Sequence, residues 1–181
     1  QFTIMDKKTP KLLTTITLFC VAVALISCKQ TKEKEENMTT NNILLQEWTG
    51  PYGGVPAFDK MNIEDIKPAI EKGMELNLQE IDEITSNSEA PTFENTIVPM
   101  EKSGEALDRV FSYYGIWSAN MSSPEFRKIQ SEMAPILSDF RSKISQNAAL
   151  FQRIKTVYDN SLKTPLEADQ QRVIQLIYEG F

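Results

Sequence analysis

The chain has 181 residues, of which 41% are hydrophobic and 24% are charged, and its formal net charge is −6. This acidic balance lacks the basic footprint that nucleic acid requires, so DNA and RNA are excluded as partners. The chain contains no histidine, which excludes a histidine general base and every histidine-ligated metal site within it. Its two cysteines, Cys20 and Cys28, lie in or beside an apolar N-terminal run, so the remainder holds neither a disulfide nor a cysteine-based zinc site.

Residues 1–27 are typical of a secretory signal peptide. A stretch with three lysines precedes an apolar run at 12–26, and that run is shorter than the roughly 20 residues that span a bilayer. Cys28 follows, with Ser27 directly before it and Leu25 three positions upstream, which resembles a bacterial lipobox. We therefore expect lipidation of Cys28 and a membrane-anchored lipoprotein of a bacterial cell envelope, facing the periplasm or the exterior. An ordinary signal with an incidental cysteine is the alternative.

Two segments separate this leader from the regular part of the chain. Residues 28–42 are polar and charged, and they bury too little surface to offset their ordering entropy, so a disordered tether is expected. Residues 43–61 mix glycines and prolines with aromatic and aliphatic side chains. We expect an irregular segment that its aromatic side chains pin onto helices.

From residue 62 onward, apolar side chains recur every three or four residues, which indicates amphipathic helices. The second of these patterns extends from Thr92 to about Asn120, with a kink expected at Pro99. Residues suited to N-capping precede each pattern. Helix starts are therefore predicted at Asn62, Thr92, Ser123, Asn147 and Thr164.

The fold class predicted for residues 62–181 is an all-α, antiparallel helical bundle around a single core, because no alternating strand pattern of convincing length occurs. The fifth helical pattern stops at Phe181 with no capping residue after it. We therefore expect the helical region to be truncated at its C-terminus.

Carboxylates are the first class of candidate functional groups. Glu80 and Glu83 lie one turn apart, and a paired acid/base site would need two carboxylates to converge in a cleft. Their position off the apolar stripe also fits a solvated helix face. Glu94 and Asn95, beside the capping position of the second pattern, either begin that helix or face a substrate channel.

Aromatic side chains are the second class. Tyr113, Tyr114 and Trp117 cluster on the second helical pattern. They would supply contact area at low entropic cost if they lined a peptide-binding groove. Packing into the core explains the same spacing.

Several segments also resemble, in the same order, the amino-terminal region of the thimet-oligopeptidase and peptidyl-dipeptidase zinc metallopeptidases. Ala-Pro-Thr-Phe-Glu-Asn-Thr-Ile is the most specific of them. The likeness extends from about residue 44 to the last residue. The segments are 48–59, 89–97, 100–104, 108–110, 132–135 and 147–158.

This resemblance implies a larger, mostly helical parent enzyme in which these helices form part of one wall of a channel that admits short peptides. The catalytic zinc of that family sits on a downstream His-Glu-x-x-His helix plus a later glutamate, and none of those positions exists in this chain. No catalytic or metal residue is therefore carried over, and the fragment alone is expected to bind no zinc and to be inactive. The alternative function is a helical lipoprotein binding module without catalysis.

Overall fold

The computed structural model describes residues 42–50 and 54–181. The predicted leader, Cys28 and the predicted tether up to residue 41 lie outside this range. Asn42, the last residue of that tether, is 5% exposed. Its Oδ1 accepts a hydrogen bond from the Leu44 N–H at 3.0 Å, and its Nδ2 donates to the Asp65 carbonyl at 2.8 Å. The predicted tether is therefore at least one residue too long, because Asn42 belongs to the folded part.

Helices account for the regular structure, and the part of the chain that the structure describes contains no strand, so the all-α prediction is confirmed. None of these helices has the length and hydropathy of a membrane span. A 3-10 turn covers Ile43–Leu45 and a single π-helical turn covers Phe93–Ile97. The α-helices are α1 (Ile63–Ser86), α2 (Val98–Lys102), α3 (Glu105–Asn120), α4 (Pro124–Ser145), α5 (Ala148–Ser161) and α6 (Ala168–Gly180).

Most of the predicted helix starts are confirmed by hydrogen bonds at the caps. The side chains of Thr92, Ser123 and Asn147 each accept from a backbone N–H three residues on. At the start of α1 the reverse half of a capping box forms, since the Asp65 carboxylate accepts from the Asn62 N–H at 3.0 Å. These bonds satisfy donors that a helix leaves free in its first turn.

The predicted start of the fifth helix is wrong by three residues. The cap of α6 is Glu167 and the helix begins at Ala168, whereas Thr164 was expected to cap it. The Thr164 N–H instead donates to the Asn160 carbonyl of α5 at 2.9 Å. Thr164 therefore closes the preceding helix rather than opening the next.

The prediction of one continuous helix from Thr92 to Asn120, kinked at Pro99, is also wrong. Pro99 is the second residue of α2, and the backbone is helical from the π turn through Ile97 and Val98 into α2. The helix is interrupted instead at Gly104, whose φ of +88° lies in the left-handed region. Glycine adopts this conformation readily because it has no Cβ, so α2 and α3 leave this point as separate helices.

The buried apolar side chains of the described residues form two neighbouring clusters, and Ile144 packs against both of them. Helix α1 contributes to both, and between its two sets of apolar residues lies Asn77, a buried amide that is 7% exposed. The first cluster packs α1 against α3 and α4 around Ile66, Ile70, Val110, Tyr113, Phe126 and Met133. The second packs the end of α1 and the π turn against α5 and α6 around Ile81, Ile97, Leu150, Ile154 and Ile174.

Candidate functional site

Tyr113 belongs to the first cluster and is 1% exposed. Its hydroxyl accepts a hydrogen bond from the Ala57 N–H at 2.7 Å. Its ring meets Trp48 and Phe58 edge-on, with centroids 6.3 and 5.2 Å away. Tyr113 thus holds the irregular N-terminal segment against α3, and these internal contacts occupy its polar and aromatic surface.

Tyr114 and Trp117, the two other aromatic candidates, lie half-buried at the edge of the same cluster. The ring of Tyr114 packs 5.2 Å from Phe126, centroid to centroid. The Trp117 Nε1 is shielded from solvent and has no hydrogen-bond partner among the described residues. Ile116, between them in sequence, is 46% exposed, so this part of α3 keeps apolar surface that internal packing does not use.

Asn95 is held by the contacts that begin the π turn. Its Oδ1 accepts from the Thr92 N–H at 2.8 Å, and its Nδ2 donates to the Ala90 carbonyl at 2.9 Å. Together with the Thr92 hydroxyl, which accepts from the Asn95 N–H, these bonds form a capping box. The amide therefore performs helix-start chemistry, the first of the two roles proposed for it.

Arg153 on α5 completes this arrangement and was missed in the sequence. It is 7% exposed, and its Nη1 donates to the Asn87 carbonyl at 2.7 Å and the Glu89 carbonyl at 3.3 Å. Its Nη2 donates to Asn95 Oδ1 at 3.0 Å. One guanidinium thereby ties α5 to the connection between α1 and the π turn, as a planar fork of donors permits.

Glu94 lies on the exposed side of the same turn. It lines a surface concavity of about 310 Å³ together with Lys163 and Asn160 near the end of α5. Glu94 and Asn95 thus belong with the second cluster, whereas the three aromatic candidates belong with the first. The structure does not bring the five candidates together in one lining, and their role in a substrate channel stays a prediction.

A polar junction joins α1 to the break between α2 and α3. The Gly104 N–H donates to Glu80 Oε2 at 2.7 Å, and Asn77 Nδ2 lies 3.4 Å from the same oxygen. The carboxylate satisfies a donor at the start of α3, where Gly104 has no side chain to act as a cap. One oxygen of the Glu80 carboxylate therefore has a structural role.

A concavity of about 440 Å³ opens beside this junction, between α1 and α2, and we call it the α1–α2 cleft. Charged and polar side chains form much of its lining, and Ile84 and Pro99 add apolar surface. Its lining residues are Glu80, Glu83, Ile84, Asn87, Asn95, Pro99, Lys102 and Ser103.

Three pKa shifts belong to ion pairs on the surface. Lys67 Nζ and Glu132 Oε2 lie 2.8 Å apart and join α1 to α4. Their hydrogen bond and their opposite charges raise the pKa of Lys67 and lower the pKa of Glu132. A 2.7 Å hydrogen bond to Asp159 likewise raises the pKa of Lys155. These pairs have the ordinary character of a solvated helix surface.

The described residues offer no donor set that fits a catalytic zinc ion. Zinc in peptidases is held by histidine, cysteine or carboxylate ligands, with at least three from the protein. The sequence has no histidine, and the described residues bring together no group of three or more side chains that could hold a metal. No step of metal chemistry is therefore assigned to residues of this chain.

Comparison with known proteins identifies the family. Residues 69–179 match the family model described as "Neurolysin/Thimet oligopeptidase, N-terminal domain". The chain is similar to a dipeptidyl carboxypeptidase of Escherichia coli (strain K12), with 31% identity over 144 residues, which are 80% of this chain and 21% of the relative.

An oligopeptidase A of Escherichia coli (strain K12) is 22% identical over 127 residues, covering 70% of this chain and 19% of the relative. The chain thus spans about a fifth of the length of these relatives. The family match covers more than half of the chain, and it agrees with the all-α structure of the same residues. The chain therefore belongs to the neurolysin/thimet oligopeptidase N-terminal domain family.

Proposed function

We propose that this chain is the non-catalytic amino-terminal segment of a zinc-dependent oligopeptidase or peptidyl-dipeptidase that hydrolyses short peptides. The observation that carries the proposal is the family match over residues 69–179, joined to relatives whose names are those of peptidases. The chain has no histidine, so we assign the zinc and the catalytic groups to a part of the parent outside it.

We further propose that α3 contributes to the wall of the channel in which the peptide lies. Ile116 on α3 and Met121, which directly follows the helix, are 46% and 56% exposed, and the half-buried Tyr114 and Trp117 lie on α3. Exposed apolar and aromatic side chains grouped on one element favour contact with a ligand or with another part of the protein. Tyr113 then acts behind this surface by holding it in place.

Hydrolysis of a short fluorogenic peptide tests the first proposal. The 181-residue chain, supplied with zinc, should release no product, and the parent should hydrolyse the peptide in a zinc-dependent reaction. Zinc-dependent hydrolysis by the chain alone would overturn the assignment. A parent that binds peptides without cleaving them would favour a binding module instead.

Paired substitutions in the parent test the role of α3. Ile116→Asp should raise KM for a short peptide with little change in Tm, because it places a charge on the proposed wall without disturbing the core. Leu176→Asp is the matched control, since Leu176 is 51% exposed on α6. Equal effects of the two substitutions on KM would refute a specific role for α3.

We also propose that Cys28 carries lipid and that the protein is anchored in a bacterial cell envelope. Leu25 and Ser27 before the cysteine support this proposal. Growth of expressing bacteria with labelled palmitate should label the wild type and not Cys28→Ala, which should also leave the membrane fraction. An unlabelled wild type would contradict it.

A further inference from the structure

The α1–α2 cleft has an apolar floor and a rim with charges of both signs. Ile84 is 5% exposed and provides apolar surface beside Pro99. Glu80 and Glu83 on α1 form the acidic side of the rim, and Lys102 at the end of α2 supplies the positive charge. The volume of about 440 Å³ lies within the range of about 300–1,000 Å³ that is usual for small-molecule pockets.

Some polar groups of the lining are used by internal contacts, namely the amide of Asn95, the hydroxyl of Ser103 and the Oε2 of Glu80, whereas others are not. Six ion pairs form among the described residues, and none of them involves Glu80, Glu83 or Lys102. Glu80 uses its Oε2 for the Gly104 N–H, so its Oε1 stays available. Asn87 uses its Oδ1 for a local turn, which leaves its Nδ2 as a donor. The cleft therefore presents acceptors and donors for a ligand.

We propose that the α1–α2 cleft binds a dipeptide or tripeptide in its zwitterionic form, with the ligand ammonium at Glu80 and Glu83 and its terminal carboxylate at Lys102. This inference rests on the proposed function, in which the parent acts on short peptides. A ligand with a positive and a negative end can pair each end with an opposite charge in the lining, and its side chains would lie against Ile84 and Pro99.

The mixed charge of the rim disfavours the other simple ligands. An inorganic anion would meet the two carboxylates, and a hard metal cation would meet Lys102. The described residues also contain no group of three side chains suited to a metal ion. Because the rim is open to solvent, each charged contact is screened, and we expect a dissociation constant on the order of 1 mM that weakens with added salt.

Ligand-observed NMR on the full chain tests this inference, with Ala-Ala as the probe and N-acetyl-Ala-Ala-amide as the analogue without terminal charges. Ala-Ala should give a saturable signal, and the blocked analogue should give none. Glu83→Gln and Lys102→Gln should each weaken the binding of Ala-Ala by about twofold to fivefold, since each removes one solvent-screened charged contact. Both positions are exposed, so the substitutions should leave Tm unchanged.

Two matched controls separate the cleft from the general charge of the surface. Glu101→Gln changes an exposed carboxylate on α2 that does not line the cleft, and Lys60→Gln changes a remote exposed lysine. Both should bind Ala-Ala as the wild type does. The proposal would be overturned if the blocked analogue bound as well as Ala-Ala, or if Glu83→Gln and Lys102→Gln left the affinity for Ala-Ala unchanged. It would also be overturned if Ala-Ala showed no saturable binding at ligand concentrations well above about 1 mM.

The hydrolysis assay on the parent separates the failure of the cleft proposal from the failure of the proposed function. A parent that hydrolyses peptides while its chain shows no specific binding of Ala-Ala would refute the cleft alone. Specific binding in the cleft, with a parent that lacks peptidase activity, would refute the proposed function and leave the cleft as a peptide-binding site.

Discussion

Arg153 offers the sharpest test of how the second half of the fold is held together. Its guanidinium donates to the carbonyls of Asn87 and Glu89 and to Asn95 Oδ1, at 2.7, 3.3 and 3.0 Å. The substitution Arg153→Met removes these three hydrogen bonds and keeps an apolar stem of similar length. The lost stability therefore reports on the bonds rather than on packing.

The expected magnitude follows from two opposing terms. A hydrogen bond from a charged donor stabilises by about 1.5–3 kcal/mol, and the three acceptors would be left without this donor. Against this, Arg153 is 7% exposed as a whole residue, and a buried guanidinium without a carboxylate partner among the described residues carries a desolvation cost of several kcal/mol. We expect Arg153→Met to lower the free energy of unfolding by about 2–4 kcal/mol.

Chemical unfolding in urea, followed by circular dichroism, measures this change. Arg153→Lys keeps the charge but cannot reach three acceptors with a single ammonium, so it should recover less than half of the loss. Arg141→Met is the control, because Arg141 is exposed on α4 and should change stability by less than about 0.5 kcal/mol. If Arg153→Lys had the same free energy of unfolding as the wild type, the planar fork of the guanidinium would not be what holds the connection between α1 and the π turn.

Three further predictions concern the backbone break, the buried tyrosine and pH. Gly104→Ala should lower the free energy of unfolding by about 1–2 kcal/mol, because the φ of Gly104 is left-handed. Gly115→Ala has nothing within 4 Å of the added Cβ and should raise it by about 0.5–1 kcal/mol. Urea unfolding measures both changes. Tyr113→Phe removes the hydroxyl that accepts from the N-terminal segment and should cost about 1–2 kcal/mol in the same assay. The stability difference between wild type and Glu132→Gln, measured from pH 7 downward, should close on acidification. The hydrogen bond to Lys67 lowers the pKa of Glu132 from its ordinary value in the folded state, so the contribution is present above the ordinary value and is lost as the pH falls through the lowered pKa.

Each of these predictions has a result that contradicts it. Equal stability changes for Gly104→Ala and Gly115→Ala would show that the left-handed backbone is not the cause. A Tyr113→Phe variant as stable as the wild type would show that water replaces the hydroxyl without cost. A difference for Glu132→Gln that persists below the lowered pKa would mean that the glutamate acts through packing and not through its charge.

Local signals account for what could be read from the sequence. Thr92, Ser123 and Asn147 cap the helices predicted for them, because a capping side chain bonds to the backbone only three residues away. The stripe on α1 likewise lies in the interior, since helical period alone decides which of its residues share a face.

The features that were missed depend on contacts distant in sequence. At the break between α2 and α3, the Gly104 N–H donates to Glu80, 24 residues earlier. The two apolar clusters arise because the first part of α1 packs against α3 and α4 and its end packs against α5 and α6. Arg153 did leave a signal, because it lies inside the apolar stripe formed by Leu150, Ile154 and Val157. A cation within such a stripe needs buried acceptors, but the sequence does not say which ones.

Of the five candidate residues, the structure gives two a clear internal role. Tyr113 and Asn95 are tied up by hydrogen bonds within the fold, and Glu94, Tyr114 and Trp117 keep some accessible surface. The sequence left open for all five whether they pack or cap within the fold or contact a substrate. It could not distinguish those roles from substrate contact, because that choice depends on which face other elements cover.

The central claim is that this chain is the non-catalytic segment of a zinc peptidase, and reading the coding sequence downstream of the Phe181 codon tests it most directly. We expect a long open reading frame that encodes His-Glu-x-x-His followed by a further glutamate. A stop codon directly after the Phe181 codon, together with a gene product that binds no catalytic subunit, would contradict this claim. The chain would then be a helical binding module.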